Sequence, residues 1–260
     1  VENKKCEKCG GRGYILNSSG TIAVCDCQKE SVYSKLYDFV GANSELVKVN
    51  VDEENYNIVT INGRELSFQQ SFQYIIWNWK QGNNLNIYIQ GPTGTGKTLW
   101  ANKLIYRIIK RVEKESMKIK NTAYLIDNET LLQKYKDGWK DTELKKEVNN
   151  ILSREILIID EFLKLEEDKK DKGFDIYDVG FLSELLSQRM KGSKITVLIS
   201  NEPIEEVILN IDDNRGRISS RLRNYEIFKF KEGKHYKDYR EKEKEVSADN
   251  FDFDKLKEGV

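Results

Sequence analysis

The sequence predicts an α/β protein: a five-stranded parallel sheet flanked by helices, with a small cysteine-bearing ribbon ahead of it. Three observations predict it. Short apolar runs recur between stretches of helical periodicity, the pattern of strands covered on both faces by crossover helices. The loop Gly91-Pro92-Thr93-Gly94-Thr95-Gly96-Lys97-Thr98 follows one such run and opens an amphipathic stretch. All four cysteines fall within the first 27 residues, apart from the periodic region.

The cysteines stand as Cys6-x-x-Cys9 and, after fifteen intervening residues, Cys25-x-Cys27. Gly10, Gly11 and Gly13 allow a tight knuckle that turns backbone amides toward thiolate sulfur. Tyr14-Ile15-Leu16 and Thr21-Ile22-Ala23-Val24 flank Asn17-Ser18-Ser19-Gly20 and read as a hairpin returning the second pair to the first. So short a segment builds no core of its own, and a tetrahedral Zn2+ held by four thiolates supplies the missing stability. A reducing compartment disfavours disulfides. The ribbon either grips a protein or nucleic acid or serves only as a staple.

A helical stretch covers Ser31 to Phe39, and residues 41–66 are weakly periodic, with Asn62-Gly63 as a turn signal, and read as a linker. Phe68, Phe72, Ile75, Ile76 and Trp79 then recur at helical spacing, as core rather than as a clamp on a base. Asn86-Ile87-Tyr88-Ile89-Gln90 is the first parallel strand, and the glycine-rich loop follows it. Three glycines let successive N–H groups turn inward around a polyphosphate, with Lys97 reaching the outer phosphates and the Thr98 hydroxyl holding Mg2+. Leu104, Ile105, Ile108 and Val112 line one face of the helix that starts there, and Glu113 to Lys120 reads as a charged loop.

Thr122 to Ile126 is the second strand, with Asn128 as the cap of the next helix, and residues 129–153 read as two helices broken near Asp137-Gly138. Ile156-Leu157-Ile158-Ile159 ends in Asp160-Glu161, a carboxylate pair at the tip of a buried strand. Asp160 is expected in the magnesium shell, directly or through water, and Glu161 as the base for the water attacking a γ-phosphate. Lys164 to Lys172 forms a mixed-charge loop; Phe181, Leu182, Leu185, Leu186 and Met190 mark a helix; Ile195 to Ile199 is the fourth strand. Asn201 ends that strand, placed to polarise the lytic water or contact the γ-phosphate. An arginine-rich run, Arg215 to Arg223, precedes the fifth strand, Glu226 to Phe230.

The chain carries 43 basic and 43 acidic side chains, so no global field advertises nucleic acid or membrane. No apolar run approaches the roughly 20 residues of a membrane span, and no leader pattern stands at the N-terminus, so a cytoplasmic protein without a membrane partner is expected.

The P-loop, the Asp160-Glu161 strand, Asn201 and the arginine cluster, in this order and spacing, resemble the AAA+ ATPases from about Phe68 to Arg240. More narrowly the chain resembles the DnaC/DnaI-type helicase loaders and their IstB-like relatives. Only 30 residues follow Phe230, too few for a full helical lid, and residues 129–153 occupy the place of a helical insertion that lines a DNA path in that branch. The Cys-x-x-Cys-Gly-Gly-Arg-Gly-Tyr start is similar to the zinc module of DnaI-like and phage-type loaders.

The resemblance implies a zinc-binding, partner-binding module at 1–40, a linker at 41–66, an AAA+ ATPase domain at 67–240 and a charged tail at 241–260. It implies ATP as nucleotide, Arg221 as an arginine finger acting in trans within a homo-oligomer, with Arg217 as the alternative, and Arg240 as a sensor arginine in cis. The implied function is ATP-dependent loading of a DnaB-like hexameric helicase onto single-stranded DNA. Lys134, Lys136 and Lys140 are candidate phosphate contacts, and a solvated helix face explains them equally well. Three other readings stand beside it: an IstB-like regulator of transposition, a zinc-dependent DNA-binding adaptor whose P-loop only senses nucleotide, and a small-molecule P-loop kinase.

Overall fold

The structure, a computed structural model, describes residues 6–10, 12, 14–16, 22–50, 57–59, 64–114, 121–163, 176–211 and 216–230. The first described elements are an antiparallel hairpin, β1 (Tyr14–Leu16) and β2 (Ile22–Val24), then α1 (Asp26–Phe39) and the short α2 (Ser44–Lys48). A second antiparallel pair, β3 (Asn57–Val59) and β4 (Glu65–Ser67), leads into α3 (Phe68–Lys80). Strands and helices then alternate: β5 (Leu85–Gln90), α4 (Lys97–Lys114), β6 (Ala123–Asp127), α5 (Asn128–Asp137), α6 (Thr142–Ser153), β7 (Ile156–Asp160) and α7 (Ile176–Met190). The order closes with β8 (Ile195–Ser200), α8 (Ile204–Asn210), α9 (Arg217–Leu222) and β9 (Glu226–Phe230).

The five expected strands are parallel and lie in the order β9-β5-β8-β7-β6. Their side chains alternate between two cores with the two-residue period of the pleat. On one face Ile87, Ile89, Ile156, Ile158, Val197 and Ile199 pack with α3 and α4; on the other, Tyr88, Leu157, Ile159 and Leu198 pack with α5 to α9. A strand that must satisfy both faces has no polar alternate, which is why β7 is buried at every position.

Beyond the expected strands, residues read as linker add to the sheet. The β3–β4 hairpin pairs antiparallel with β9, Ile58 opposite Phe230, and covers what would otherwise be an open strand edge. A three-residue strand is too short to show the alternation that announces a strand. Nor is the stretch before it a bare connector, since Val40, Ala42 and Val47 are buried in the core that holds α4. The cap of α5 also moves by one residue: Asp127, not Asn128, takes the N-cap position, its carboxylate accepting the Thr130 N–H at 2.7 Å. The helix before the linker starts at Asp26 rather than Ser31. The tip Asn17 to Gly20, the turn Asn62-Gly63, most of the charged loop ending at Lys120, the run Lys164 to Lys172, Arg215, Arg240 and the tail lie outside the described residues.

At the lower edge of the sheet Arg189 on α7 is only 1% exposed. Its guanidinium donates to the carbonyls of Leu152 and Arg154 at 2.9 Å each and of Ile195 at 2.5 Å, and its Nε to Thr196 Oγ1 at 2.8 Å. One fork thus satisfies the end of α6 and the starts of β7 and β8, and burial pulls its pKa down to about 10. Replacing it orphans several buried carbonyls at once. Arg189→Leu is expected to lower the unfolding free energy by about 3–5 kcal/mol, read from the midpoint shift in urea; a loss within the scatter of surface substitutions would contradict this role.

Candidate functional site

The carboxyl ends of β5, β8 and β7 meet at one edge of the sheet, and β8 between its neighbours brings the loop after β5 opposite the tip of β7. The loop runs from Gly91 to Gly96 and enters α4 at Lys97. Gly91 has φ +156°, and a Cβ there would lie 2.6 Å from the Phe230 carbonyl oxygen, so only glycine lets the loop leave β5 tight against the end of β9. Gly94 and Gly96 both have φ +83° and make the turns that curl the loop back over the helix start.

Lys97 is buried, and its ammonium donates to the carbonyls of Gly91 at 2.6 Å and Pro92 at 2.8 Å, with Thr95 Oγ1 at 3.4 Å. Thr95 closes the loop through its hydroxyl to the Pro92 carbonyl at 2.8 Å. Burial lowers the Lys97 pKa to about 8, and the nearby Asp160 carboxylate opposes the shift only in part. Asp160, at the tip of β7, is itself buried, and its pKa is raised by that burial. A hydrogen bond with Thr98 and the Glu161 N–H at 2.9 Å act in the opposite direction. Lys97, Thr98 and Asp160 therefore converge, one cation, one hydroxyl and one carboxylate, at the start of α4. That is a donor set suited to a polyphosphate and a hard divalent cation.

After Asp160 the backbone does something the sequence does not announce. Glu161 and Leu163 adopt left-handed conformations, φ +51° and +54°. The first turn sends Phe162 into the core, its N–H donating to the Ile199 carbonyl at 2.7 Å, and leaves Glu161 exposed beside Asp160. A non-glycine residue held in this region costs of order 1–3 kcal/mol and persists where its surroundings demand it. Asn201 is exposed at the end of β8, between the ends of the P-loop strand and the Asp160 strand.

The arginines lie elsewhere in the fold. Ile218 and Leu222 bury one side of α9, which turns Arg217 and Arg221 outward, and the Arg221 guanidinium donates to the Arg217 carbonyl one turn back. The lysines of the insertion are committed to acids: Lys134 to Glu147 at 2.9 Å and Lys136 to Asp178 at 2.8 Å, while Lys140 is exposed. Sequence reasoning passed over the aromatic residues beside them. Trp139 and Tyr177 are 57% and 59% exposed and meet edge to face at 5.5 Å, and Tyr135 stacks on Phe181 at 3.9 Å behind them. A Trp next to the Gly138 helix break was the available signal, because a helix end with no following core face leaves its aromatics at the surface.

At the other end of the chain the four cysteine sulfurs lie within 4.8 Å of one another. Cys6 and Cys25 are 3.7 Å apart and Cys9 and Cys27 3.5 Å, close to the roughly 3.8 Å edge of a sulfur tetrahedron with metal–sulfur bonds of about 2.3 Å. The Gly10 N–H donates to the Cys6 carbonyl at 2.7 Å, with Gly10 at φ +59°, and folds the knuckle between the first two ligands. The donor set fits a tetrahedral thiophilic ion.

Among solved structures the fold matches DnaI, 13% identical over 73% of this chain and 94% of that one, with a TM-score of 0.50. It also matches AMPPCP-bound DnaA from Aquifex aeolicus, 17% identical over 77% of this chain, with a TM-score of 0.51. Domain III of the Thermotoga maritima replication initiation protein DnaA aligns at 19% identity over 62% of this chain, with a TM-score of 0.47. The chain spans 54% of the Aquifex protein's length and 61% of the Thermotoga one's. No curated protein matches its sequence. Among the described residues no helix is long and apolar enough to cross a membrane. Residues 64–203, more than half of the chain, match the family model of the Type III restriction enzyme, res subunit. The match contains the P-loop, the Asp160 strand and the strand between them, so the chain belongs to that family of P-loop NTPases, in an AAA+-like fold.

Proposed function

We propose that the protein is an ATPase that loads a DnaB-like hexameric helicase onto single-stranded DNA. The observation that carries the enzymatic part is the convergence of Lys97, Thr98 and Asp160 at the edge where β5 and β7 flank β8. Lys97 leaves its loop carbonyls for the phosphate oxygens, and the inward N–H groups of residues 93–98 complete the cradle. Thr98 and Asp160 hold Mg2+, which screens phosphate charge when bound. Glu161, projected outward by its left-handed backbone, accepts the proton of the attacking water, and Asn201 orients that water. Arg221 on its exposed helix face enters a neighbouring copy's site, so hydrolysis needs an assembly; Arg240 acts in cis on the bound nucleotide.

The choice of client rests on the resemblance to the DnaC/DnaI-type loaders and on a fold shared with DnaI. The four-cysteine centre binds Zn2+ and presents the helicase-binding surface. Exposed Trp139 and Tyr177 on the helical insertion supply stacking faces for unpaired bases. An IstB-like role on duplex DNA has no such use for open aromatic faces.

Retention on the full chain tests this reading. A replicative helicase and a labelled single-stranded oligonucleotide are expected to be held in an ATP-dependent manner. Lys97→Ala should lose the nucleotide dependence, Trp139→Ala should weaken the oligonucleotide alone, and removal of one bound zinc per chain should release the helicase. A transposase held in place of the helicase, or an absence of zinc in the purified protein, overturns it. Mixing Arg221→Ala with Glu161→Gln protein is expected to restore hydrolysis at hybrid interfaces that neither supports alone; silence from every mixing ratio would place the finger elsewhere.

The Lys97 pKa of about 8 also sets a pH dependence. Bound phosphate favours the ammonium, so below pH 8 the lysine is charged with or without nucleotide. Above it the free protein has lost the proton that the complex retains. Affinity for a fluorescent ATP analogue is therefore expected to be flat up to about pH 8 and then to fall by as much as about tenfold per pH unit. An affinity that stays level to about pH 9.5 would contradict the buried lysine as the phosphate ligand.

A further inference from the structure

The segment that joins the cysteine module to the sheet, residues 40–48, is tied at three points to the elements that carry the P-loop site. The Val40 carbonyl accepts the Leu125 N–H on β6 at 2.9 Å. The Asn43 N–H donates to Asn102 Oδ1 at 2.6 Å, and the Lys103 ammonium donates to the Val47 carbonyl at 2.6 Å. Gly41 makes the close approach: its φ is +73°, and a Cβ there would lie 1.9 Å from the Leu125 carbonyl oxygen.

Asn102 is only 1% exposed and faces both ways. While its Oδ1 holds the linker, its Nδ2 donates to the Thr98 carbonyl at 2.8 Å. The Thr98 side chain is in turn hydrogen-bonded to Asp160. A series of contacts thus runs Asp160, Thr98, Asn102, Asn43, passing within Thr98 from its side chain to its backbone carbonyl. Beside it a cleft of ≈ 330 Å³ separates Gly41, Asn43 and Leu46 from Thr98, Asp127 and Asp160, which gives the segment room to move against the site. Toward the cysteines, α1 is latched to the far end of α4: the Tyr33 hydroxyl donates to the Glu113 carboxylate at 2.7 Å and accepts from Lys110 at 2.7 Å.

We propose that residues 40–48 form a strap that carries nucleotide occupancy to the cysteine module, with Asn102 as the positioning residue that couples it to the P-loop helix. The inference rests on nucleotide binding at the P-loop. When Thr98 and Asp160 turn from each other to a bound cation, the first turn of α4 shifts with the Thr98 backbone. Asn102 is bonded to that backbone and to the strap together, so the Asn43 amide follows. The strap is pinned to β6 at one end and to Lys103 at the other, and a shift in its middle changes the slope at which α1 departs.

Amide hydrogen exchange on the full chain, with and without a non-hydrolysable ATP analogue and Mg2+, tests the strap. In the wild type nucleotide is expected to slow exchange over residues 43–47 by about fivefold, the scale of one hydrogen bond gained or lost in a local opening. In Asn102→Ala the analogue should bind within about threefold of wild type, and the protection around the P-loop should persist while that over 43–47 disappears. Gly41→Ala, which breaks the β6 tie without touching α4, should give the same loss, so a poorly folded Asn102 variant does not decide the matter. Unchanged exchange over 43–47 in a wild type that binds the analogue, or a response that survives in both variants, overturns the strap and leaves the P-loop reading standing. A wild type that binds no analogue overturns both.

Discussion

A buried ammonium organises the upper edge of this molecule. Lys97 sits against the carbonyls of its own loop, and the Asp160 carboxylate acts on it through its field. Such a charge is costly to keep out of water, and neutral carbonyl dipoles compensate it only partly, which is why its pKa falls. Everything around it follows from holding that position: glycines that let the loop curl, a strand order that sets β8 between β5 and β7, and a carboxylate stationed at the tip of β7. An arriving polyphosphate exchanges weak acceptors for strong ones, so the site is strained toward its ligand before the ligand comes.

The parallel strands were legible because burial on both faces forbids polar alternates, and a run such as Ile156-Leu157-Ile158-Ile159 admits few other readings. The hairpin of β3 and β4 was not. Three-residue strands carrying Asn57, Glu65 and Ser67 lie within the sequence variation of any loop, and what makes them strands is the unpaired edge of β9, a partner about 170 residues away in the chain. Asp127 and Asn128 are both good caps, and which one serves depends on where β6 stops pairing with β7, at Asp127 opposite Asp160.

At the site the local motif was legible for the same reason that it works: a P-loop does its chemistry with consecutive residues. Contacts between distant residues were opaque. Lys134 and Lys136 read as free cations until Glu147 and Asp178 are folded against them, and the left-handed turn at Glu161 is imposed by Phe162 docking beneath β8. No propensity of Glu or Phe announces that turn. Asn102 likewise sits among apolar residues of α4 with nothing to set it apart, and only the linker passing over it gives it two partners.

The balance of charge bears on the nucleic-acid surface proposed for the insertion. With 43 basic and 43 acidic side chains the molecule has no long-range attraction for phosphate, and two of the three lysines expected to supply a local one are neutralised by acids at 2.8–2.9 Å. Freeing them for a phosphate would exchange one ion pair for another at little gain. The aromatic pair offers a different kind of contact. Trp139 and Tyr177 expose more than half their surface, and each unpaired base stacked there removes apolar area from water at both partners. Under the proposed loading role, binding through this face would draw on stacking more than on counterion release, and it would discriminate single strands from duplex, whose bases are already stacked on one another.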